Sequence, residues 1–371
     1  MTLVTKRNAN MDLLRIVSML LIVLLHSIDH SGVLENAENC GRAMYFYVRF
    51  TYALCQVCVN SYVMLSGYFM VNSSFRLQKL VALWMEAVLY GFGLKLLFML
   101  TGNEAFSAVS LASCFFPIMT GRYWFLTIYV GMYLVAPFVN ILIRSMDRKQ
   151  HGMLNLCLFA IMSAWSSIHP SVKGMNSGGG WGLAWFVVLY LAAAWFRLYY
   201  VPAKKAAGWL ACYAAVPLLI AGVQCVCGNL PGVVGVIVSN WFRYDSAPVY
   251  VMSVCLFVGF LNIEIRNETL TKWITAVSPL TFGVYLIHAH ANVSPWSWEV
   301  LALPEKMGSA MFPLIQLGAV FGIFAVCACV DALRKCTFGR LEDAKMIKRL
   351  TESVSAWTEH KLDVFLQGEV R

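Results

Sequence analysis

The stretch Asn10-Met-Asp-Leu-Leu-Arg-Ile-Val-Ser-Met-Leu-Leu-Ile-Val-Leu-Leu-His-Ser27 decides the fold. It is almost continuously apolar and long enough to cross a bilayer as a helix, yet it carries Asp12, Arg15 and His26. Ten residues separate Arg15 from His26, so on a helix they lie about 16 Å apart along the axis, about half the hydrocarbon thickness. The helix therefore places a cation near one interface and a titratable base deep towards the other.

The composition predicts the same class for the whole chain. Hydrophobic residues make up 60% of the 371 residues and charged residues only 13%, and the mean hydropathy is +0.67. These values exclude an ordinary soluble domain and predict an all-α, polytopic integral membrane protein.

Apolar runs of the length needed to cross a bilayer predict about ten transmembrane helices. An additional apolar segment at 230–242 is a candidate re-entrant piece. The ten predicted spans are 12–30, 44–71, 80–101, 123–144, 153–169, 182–200, 208–226, 247–263, 277–291 and 311–333.

The basic residues predict the orientation of these spans. An even number of spans puts both termini on one side, and the loops of that side contain most of the Lys and Arg residues, for example Arg148, Lys149, Lys204 and Lys205. The positive-inside rule therefore predicts that both termini are cytoplasmic. The same asymmetry accounts for the net charge of +9, so no nucleic-acid partner is expected.

The composition changes after Cys336, which divides the chain into a transmembrane domain, residues 1–336, and a cytoplasmic tail, residues 337–371. The tail is charged and has Ile347, Leu350, Val354 and Trp357 at helical spacing. This pattern predicts an amphipathic helix on the membrane surface.

Several polar residues within the predicted spans are candidate site residues, because burial in a bilayer is costly for polar groups without a role or a partner. Asn60 and Ser66 in the second span are expected to face the bundle interior. Glu86 in the third span is expected to have a polar partner. His288 lies about 20 Å into the ninth span, at a depth similar to that of His26, so the two histidines could line one cavity.

Further candidates lie at the predicted ends of spans. Arg76 and Lys79 are three residues apart at a cytoplasmic end and therefore share one face if that segment is helical. Trp124 begins the fourth span in an aromatic cluster, and Arg243 precedes the eighth span. Cys55 and Cys58 have the CxxC spacing but no companion pair, so no metal site is expected.

These residue types fit one kind of chemistry. A buried histidine is suited to accept a proton near neutral pH, and cytoplasmic Arg and Lys residues are suited to bind phosphate. Together they fit a donor whose phosphate-rich head docks inside while its reactive end reaches a base deep in the protein. Acyl-CoA has this shape.

The motifs resemble those of the membrane acyltransferase-3 family over roughly residues 8 to 335. The similar features, in order, are the Arg15 to His26 spacing and the stretches Ser66-Gly67-Tyr68, Arg76-Leu-Gln-Lys79, Tyr123-Trp-Phe-Leu126 and Tyr285-Leu-Ile-His288. The resemblance implies a multi-pass protein of a bacterial-type plasma or inner membrane that transfers an acyl group to an extracytoplasmic or lipid-linked glycan.

The resemblance also implies roles for particular residues. His26 is the expected catalytic residue, and Arg15, Arg76 and Lys79 are expected to hold the phosphates of acyl-CoA, a co-substrate rather than a permanently bound cofactor. We expect His26 to act as a general base for an acceptor hydroxyl, with transfer through an acyl-histidine as the alternative. Family members often have a second arginine at the position of Lys79. The remaining candidates are assigned to the donor side (Ser66) and to the acceptor side (Asn60, Trp124, Arg243 and His288).

A secondary transporter for a small polar solute is the alternative. In that interpretation His26 and His288 would relay protons and Glu86 would couple them to transport. Glu86 is almost the only acidic residue deep in a predicted span, which favours the acyltransferase.

Overall fold

The computed structural model describes residues 8–169, 178–228 and 230–342, and the regular elements in these ranges are helices without any strand. The all-α class predicted from the composition is confirmed. The helices are α1 (Ala9–Asp29), α2 (Val33–Asn36), α3 (Arg42–Cys55), α4 (Val57–Met70), α5 (Leu77–Leu100), α6 (Ala108–Ser113), α7 (Trp124–Arg144), α8 (Arg148–Phe159), α9 (Trp165–Ile168), α10 (Leu183–Tyr199), α11 (Ala206–Cys227), α12 (Val233–Asn240), α13 (Ala247–Leu261), α14 (Glu268–Val277), α15 (Thr281–His288), α16 (Val293–Leu301) and α17 (Phe312–Glu342).

Eight helical segments in the described part of the chain are long and apolar enough to cross a membrane. Three of them join shorter helices end to end: Arg42–Met70, Arg148–Ile168 and Glu268–His288. The predicted spans 182–200 and 247–263 coincide with α10 and α13, which have 17 and 15 residues. The total of about ten spans and the cytoplasmic orientation of the termini stay predictions.

The remaining predicted segments are the piece at 230–242 and the tail. The piece at 230–242 contains the eight-residue helix α12, which is about 12 Å long and too short to cross a bilayer, and its re-entrant character stays a prediction. The predicted tail helix with Ile347, Leu350, Val354 and Trp357 lies outside the described residues. The α17 helix continues past the predicted boundary at residue 336 to Glu342.

The helices divide into an inner group and an outer group. In the most apolar stretch of α1, 67% of residues are buried by protein, whereas the corresponding stretches of α5, α11 and α17 are only 22% buried. The α10 helix is apolar and buried along most of its length. Because water-soluble surfaces are not apolar over such lengths, the exposed faces of the outer helices fit contact with lipid, and α1 lies inside the bundle.

One glycine allows two inner helices to pack closely. A Cβ atom at Gly67 on α4 would lie 2.8 Å from the backbone Cα of Tyr190 on α10, a separation that packed atoms do not tolerate. Glycine at this position therefore permits backbone-to-backbone contact, as at many membrane helix crossings. The Ser66-Gly67-Tyr68 stretch thus has a packing role through Gly67.

Glu86, Tyr90, Asp331 and Arg334 form a charged cluster between α5 and α17. The guanidinium of Arg334 lies 2.7 Å from Asp331 Oδ1 and 3.1 Å from Glu86 Oε1. The hydroxyl of Tyr90 donates to Asp331 Oδ1 at 2.8 Å. The expectation that Glu86 has a polar partner is therefore confirmed, and the acidic charges are paired within the bundle.

A second polar group, on the predicted outer side, joins α5 to the segment after α15. Lys95 Nζ lies 2.6 Å from Glu104 Oε1, and Asn292 Nδ2 donates to Glu104 Oε2 at 2.8 Å. His290 is fully buried there. Its Nδ1 accepts from the backbone N–H of Asn292 at 3.2 Å and its Nε2 lies 3.3 Å from the carbonyl of Gly91.

Candidate active site

A central cavity of about 240 Å³ opens beside the C-terminal half of α1, which is the outer half in the predicted orientation. It lies where α1, α4, α7 and α15 come together, and its wall is largely aromatic. The lining residues are Met19, Ile22, Leu25, His26, Asp29, His30, Cys58, Val59, Tyr62, Arg122, Tyr123, Trp124, Phe125, Trp181, Tyr244, Phe282, Tyr285 and Ala289.

The periodicity of α1 explains which of its residues reach this cavity. Met19, Ile22, His26 and Asp29 follow one another at helical spacing of three or four residues and line the cavity together. Arg15 lies four residues before Met19 on the same stripe. One face of α1 therefore leads from Arg15 along the cavity to His26.

His26 and His288 are hydrogen-bonded to each other. His26 Nδ1 lies 3.1 Å from His288 Nε2, and His288 Nδ1 lies 2.6 Å from the backbone carbonyl of Val284. A carbonyl oxygen only accepts, so Nδ1 of a neutral His288 carries the proton and its Nε2 accepts. Nδ1 of a neutral His26 must then be the donor, which leaves the lone pair on His26 Nε2.

The free nitrogen of His26 is the chemically available atom of this pair. Nε2 of His26 has no hydrogen-bond partner among the described residues, and its ring lines the cavity. His288 is 2% exposed and is held by α15. The arrangement presents a neutral imidazole base whose tautomer is fixed from behind by a second histidine.

His30 is a cavity residue that the sequence analysis missed. Its ring stacks on that of His26 with centroids 4.2 Å apart, and its Nε2 lies 3.9 Å from Asp29 Oδ2. Its spacing of four residues from His26 was the available signal. Within the described ranges, no group of three metal-ligating side chains is arranged to hold a metal ion.

Arg15 lies in a small polar group one helical turn before Met19, the first cavity residue of α1. Its Nη1 donates to Asp12 Oδ1 and to Ser278 Oγ, both at 3.2 Å, and Ser278 Oγ donates to Asp12 at 2.8 Å. The side chain remains 31% exposed. Most N–H groups of the guanidinium thus remain available. The charge of Arg15 also interacts with Tyr62, which lines the cavity.

The other predicted donor-side residues lie away from the cavity wall. Arg76 and Lys79 are exposed at the start of α5. The backbone of Arg76 is fixed by Tyr133, whose hydroxyl accepts from its N–H at 2.9 Å. Ser66 donates to the carbonyl of Tyr62 on its own helix at 3.0 Å. These contacts leave the two cationic side chains at the surface.

Trp124, the first residue of α7, lies in an aromatic group of the cavity wall, at the end that faces outward in the predicted orientation. Its ring centroid is 4.3 Å from that of Trp181 and 6.4 Å from that of Tyr244, and Trp124 and Tyr244 stack within 17° of parallel. Trp181 is 51% exposed. The cavity mouth therefore presents flat apolar faces to whatever enters from that side.

Asn60 is not brought to the cavity. It is fully buried and donates to the carbonyl of Tyr244 at 2.9 Å and to Ser253 Oγ at 3.0 Å, while its own oxygen accepts from Trp185 Nε1 at 3.0 Å. Its amide is occupied in joining four parts of the core, which suits a structural residue.

Arg243 is likewise held by the protein. Its guanidinium forms a two-pronged ion pair with the buried Asp245, with Nε to Oδ1 at 3.0 Å and Nη2 to Oδ2 at 2.8 Å. It lies outside the cavity wall, beside Tyr244, which lines it. This geometry fixes the loop that carries Tyr244 and gives Arg243 no direct contact with the cavity.

Two groups near the cavity, just outside the apolar helical segments Trp124–Arg144 and Glu268–His288 of the structure, have shifted pKa values. Burial lowers the pKa of His290 to about 4, although its hydrogen bond to Gly91 opposes this. Burial also raises the pKa of Tyr123, whose hydroxyl donates to the carbonyl of Leu286 at 3.0 Å. Both side chains are therefore neutral near pH 7 and act as fixed hydrogen-bonding groups.

The fold and the site define a class: a multi-helix membrane protein with a pair of hydrogen-bonded histidines at the wall of an aromatic cavity. The acyltransferase domain family model, that of the acyltransferase-3 family, matches residues 8–332, most of the 371-residue chain. The chain belongs to this family and is a membrane acyltransferase. No curated protein and no solved structure gives a significant match.

Proposed function

We propose that this membrane acyltransferase moves an acyl group, most simply acetyl, from cytoplasmic acyl-CoA to a hydroxyl of an extracytoplasmic or lipid-linked glycan. The hydrogen bond between His26 and His288 at the cavity wall carries this proposal. It leaves a neutral imidazole nitrogen directed to the cavity, which is what a general base for a hydroxyl needs.

The donor is assigned to the side of Arg15. The exposed Arg76 and Lys79 and the partly exposed Arg15 supply positive charge for the phosphates of the CoA head. The stripe from Arg15 to His26 covers about 16 Å, the distance that the pantetheine arm has to cover to bring the thioester to the base. Ser66 lies on this side as an additional donor contact.

The acceptor is assigned to the opposite side. The faces of Trp124, Trp181 and Tyr244 at the cavity mouth fit the flat, apolar face of a sugar ring. This supports a glycan as the acceptor. The proposed location is a bacterial-type cell membrane, with membrane lipids as neighbours and without a nucleic-acid partner.

The chemistry follows from the atoms present. Nε2 of His26 takes the proton of the acceptor hydroxyl while the hydroxyl oxygen attacks the thioester carbonyl carbon. The resulting imidazolium keeps its Nδ1–H bond to His288. The tetrahedral intermediate then expels the CoA thiolate as the C–S bond breaks, and His26 returns the proton to that sulfur. The products are an acyl ester and CoA, and no other co-reactant is needed.

The transporter alternative also predicts that His26 and His288 lie together, so their hydrogen bond alone does not decide between the two functions. Its proposed coupling residue, Glu86, is however ion-paired with Arg334 and lies outside the cavity wall. The family assignment also favours acyl transfer.

The proposal is tested by measuring the content of ester-linked acetyl groups on envelope glycans and lipid-linked precursors. Cells with the native protein are compared with cells carrying His26→Ala, and His169→Gln, a histidine at the end of α9 outside the cavity, serves as the matched control. We expect the ester to be lost only with His26→Ala at equal protein levels. Unchanged ester together with a collapse of solute uptake would overturn the proposal in favour of transport.

A further inference from the structure

Arg122 is a cation in the cavity wall that the reaction outlined above does not use. It lies just before α7 and lines the central cavity. Its Nη2 donates to Ser113 Oγ at 2.9 Å, and its stem lies at van der Waals distance from the space beside Gly91. Its Nε atom is buried and has no hydrogen-bond partner in the described part of the chain.

The charge of Arg122 is also without an acidic partner. No carboxylate in the described ranges lies within 4.0 Å of its guanidinium. Glu104 is occupied by Lys95, and Asp29, the carboxylate of the cavity wall, is oriented towards His30. Nε has no contact with open space, but Nη1, which also has no hydrogen-bond partner in the described part of the chain, is not buried in this way. Because Arg122 lines the cavity, its guanidinium keeps a positive charge and N–H groups for a ligand there.

The position of Arg122 decides which ligand that is. Arg122 directly precedes Tyr123 and Trp124 in the chain, and all three residues line the cavity. Arg122 therefore belongs to the aromatic end of the cavity, which is assigned to the acceptor. A planar guanidinium with spare N–H groups matches the paired oxygens of a carboxylate or a phosphate better than it matches a neutral hydroxyl.

We propose that the acceptor carries an anionic oxygen group, a carboxylate or a phosphate, and that Arg122 binds it while the sugar ring lies against the aromatic residues. Arg122 is thus a specificity-determining residue. This inference rests on the proposed function, because it takes the aromatic end of the cavity as the acceptor side.

Binding of simple sugars to the purified full-length protein tests the assignment. The probes are methyl glucoside, methyl glucuronide and glucose 1-phosphate, and the signal is the tryptophan fluorescence to which Trp124 and Trp181 contribute from the cavity wall. At least one anionic probe is expected to bind about tenfold or more tightly than the neutral glucoside. The anionic probe that binds more tightly shows whether the site prefers a carboxylate or a phosphate.

Matched variants test whether Arg122 causes the tighter binding of anionic probes. Arg122→Gln is expected to abolish it while leaving the affinity for methyl glucoside unchanged, and Arg122→Lys is expected to retain part of it because charge remains without the planar fork. Arg42→Gln removes an exposed arginine that does not line the cavity and should change nothing.

Equal affinity for neutral and anionic probes, absence of anion binding, or a preference that survives in Arg122→Gln would overturn the inference. The His26→Ala variant separates this outcome from the proposed function. Its sugar preference should equal that of the native protein, whereas a failure of the proposed function appears as acyl transfer that persists in His26→Ala.

Discussion

The bundle contains two groups of buried polar side chains, the charged cluster and the histidine pair, and they differ in whether a hydrogen-bonding atom remains available at the cavity. In the charged cluster, Arg334 is bonded to Asp331 and Glu86, and Tyr90 donates to Asp331. None of these four side chains lines the central cavity. In the histidine pair, by contrast, the bonds run from His26 through His288 to a backbone carbonyl and end at an imidazole nitrogen that faces open space.

This difference distinguishes side chains that stabilise the fold from side chains that can act on a substrate. Polar side chains whose hydrogen-bonding groups are used by each other stabilise one arrangement of the helices and have nothing left to offer a substrate. A side chain that is oriented by its neighbours but keeps one free atom at a cavity can act on a substrate. Glu86 and His26 were both unusual residues in predicted spans, and this contrast assigns them to different roles.

The largest expected effect comes from breaking the charged cluster. Asp331→Ala leaves Arg334 and Tyr90 without their shared acceptor, so we expect a loss of about 3 kcal/mol in the free energy of unfolding in detergent. Acyl transfer per folded molecule should stay near the native value. A stable Asp331→Ala protein that has lost acyl transfer would show that the cluster belongs to the reaction and would break the comparison.

The second effect concerns the orientation of the base. His288→Leu removes the acceptor for His26 Nδ1, so the imidazole loses its fixed tautomer, and we expect kcat to fall about 100-fold. The KM for acyl-CoA should hardly change. His288→Gln, which can again offer an acceptor atom, should recover part of the rate; a rate equally low in both variants, with lowered stability, would indicate packing alone.

The smallest effect is a dependence of stability on pH from His290. Its pKa is about 4 in the fold and 6.5 as the ordinary value, so the unfolded chain takes up a proton first as the pH falls. Its contribution to stability is complete above about pH 6.5 and decreases towards pH 4, by about 1.4 kcal/mol per pH unit. Unfolding measured from pH 7 to pH 5 should show a smaller slope in His290→Gln, and an identical slope would contradict this.

Much of the fold follows from the sequence because a bilayer restricts the choices. Long apolar runs have to become helices, so the all-α class and the positions of α1, α5, α7 and α17 were predictable. The predicted spans 182–200 and 247–263 likewise coincide with α10 and α13, but the apolar runs did not show that these two helices have only 17 and 15 residues. The pairing of Glu86 with a residue 248 positions later also depends on tertiary packing that a single sequence does not display.

The candidate site was predictable where helix geometry alone decides. The depth of His26 and His288 follows from counting residues along two helices, and the structure brings them to 3.1 Å. The isolation of Asn60 from the cavity does not follow, because its three partners come from distant segments. The roles of Arg122 and Trp181 depend on how loops fold over the cavity, for which the sequence offers no periodicity.

Single-turnover acyl transfer by purified protein in liposomes tests the central claim, that His26 Nε2 is the base. Labelled acetyl-CoA binding and release of CoA with an acceptor present are measured for the native protein and His26→Ala. We expect the variant to bind acetyl-CoA with native affinity while the rate of transfer falls by about 10²- to 10⁴-fold. A rate within a few-fold of the native value would contradict the account.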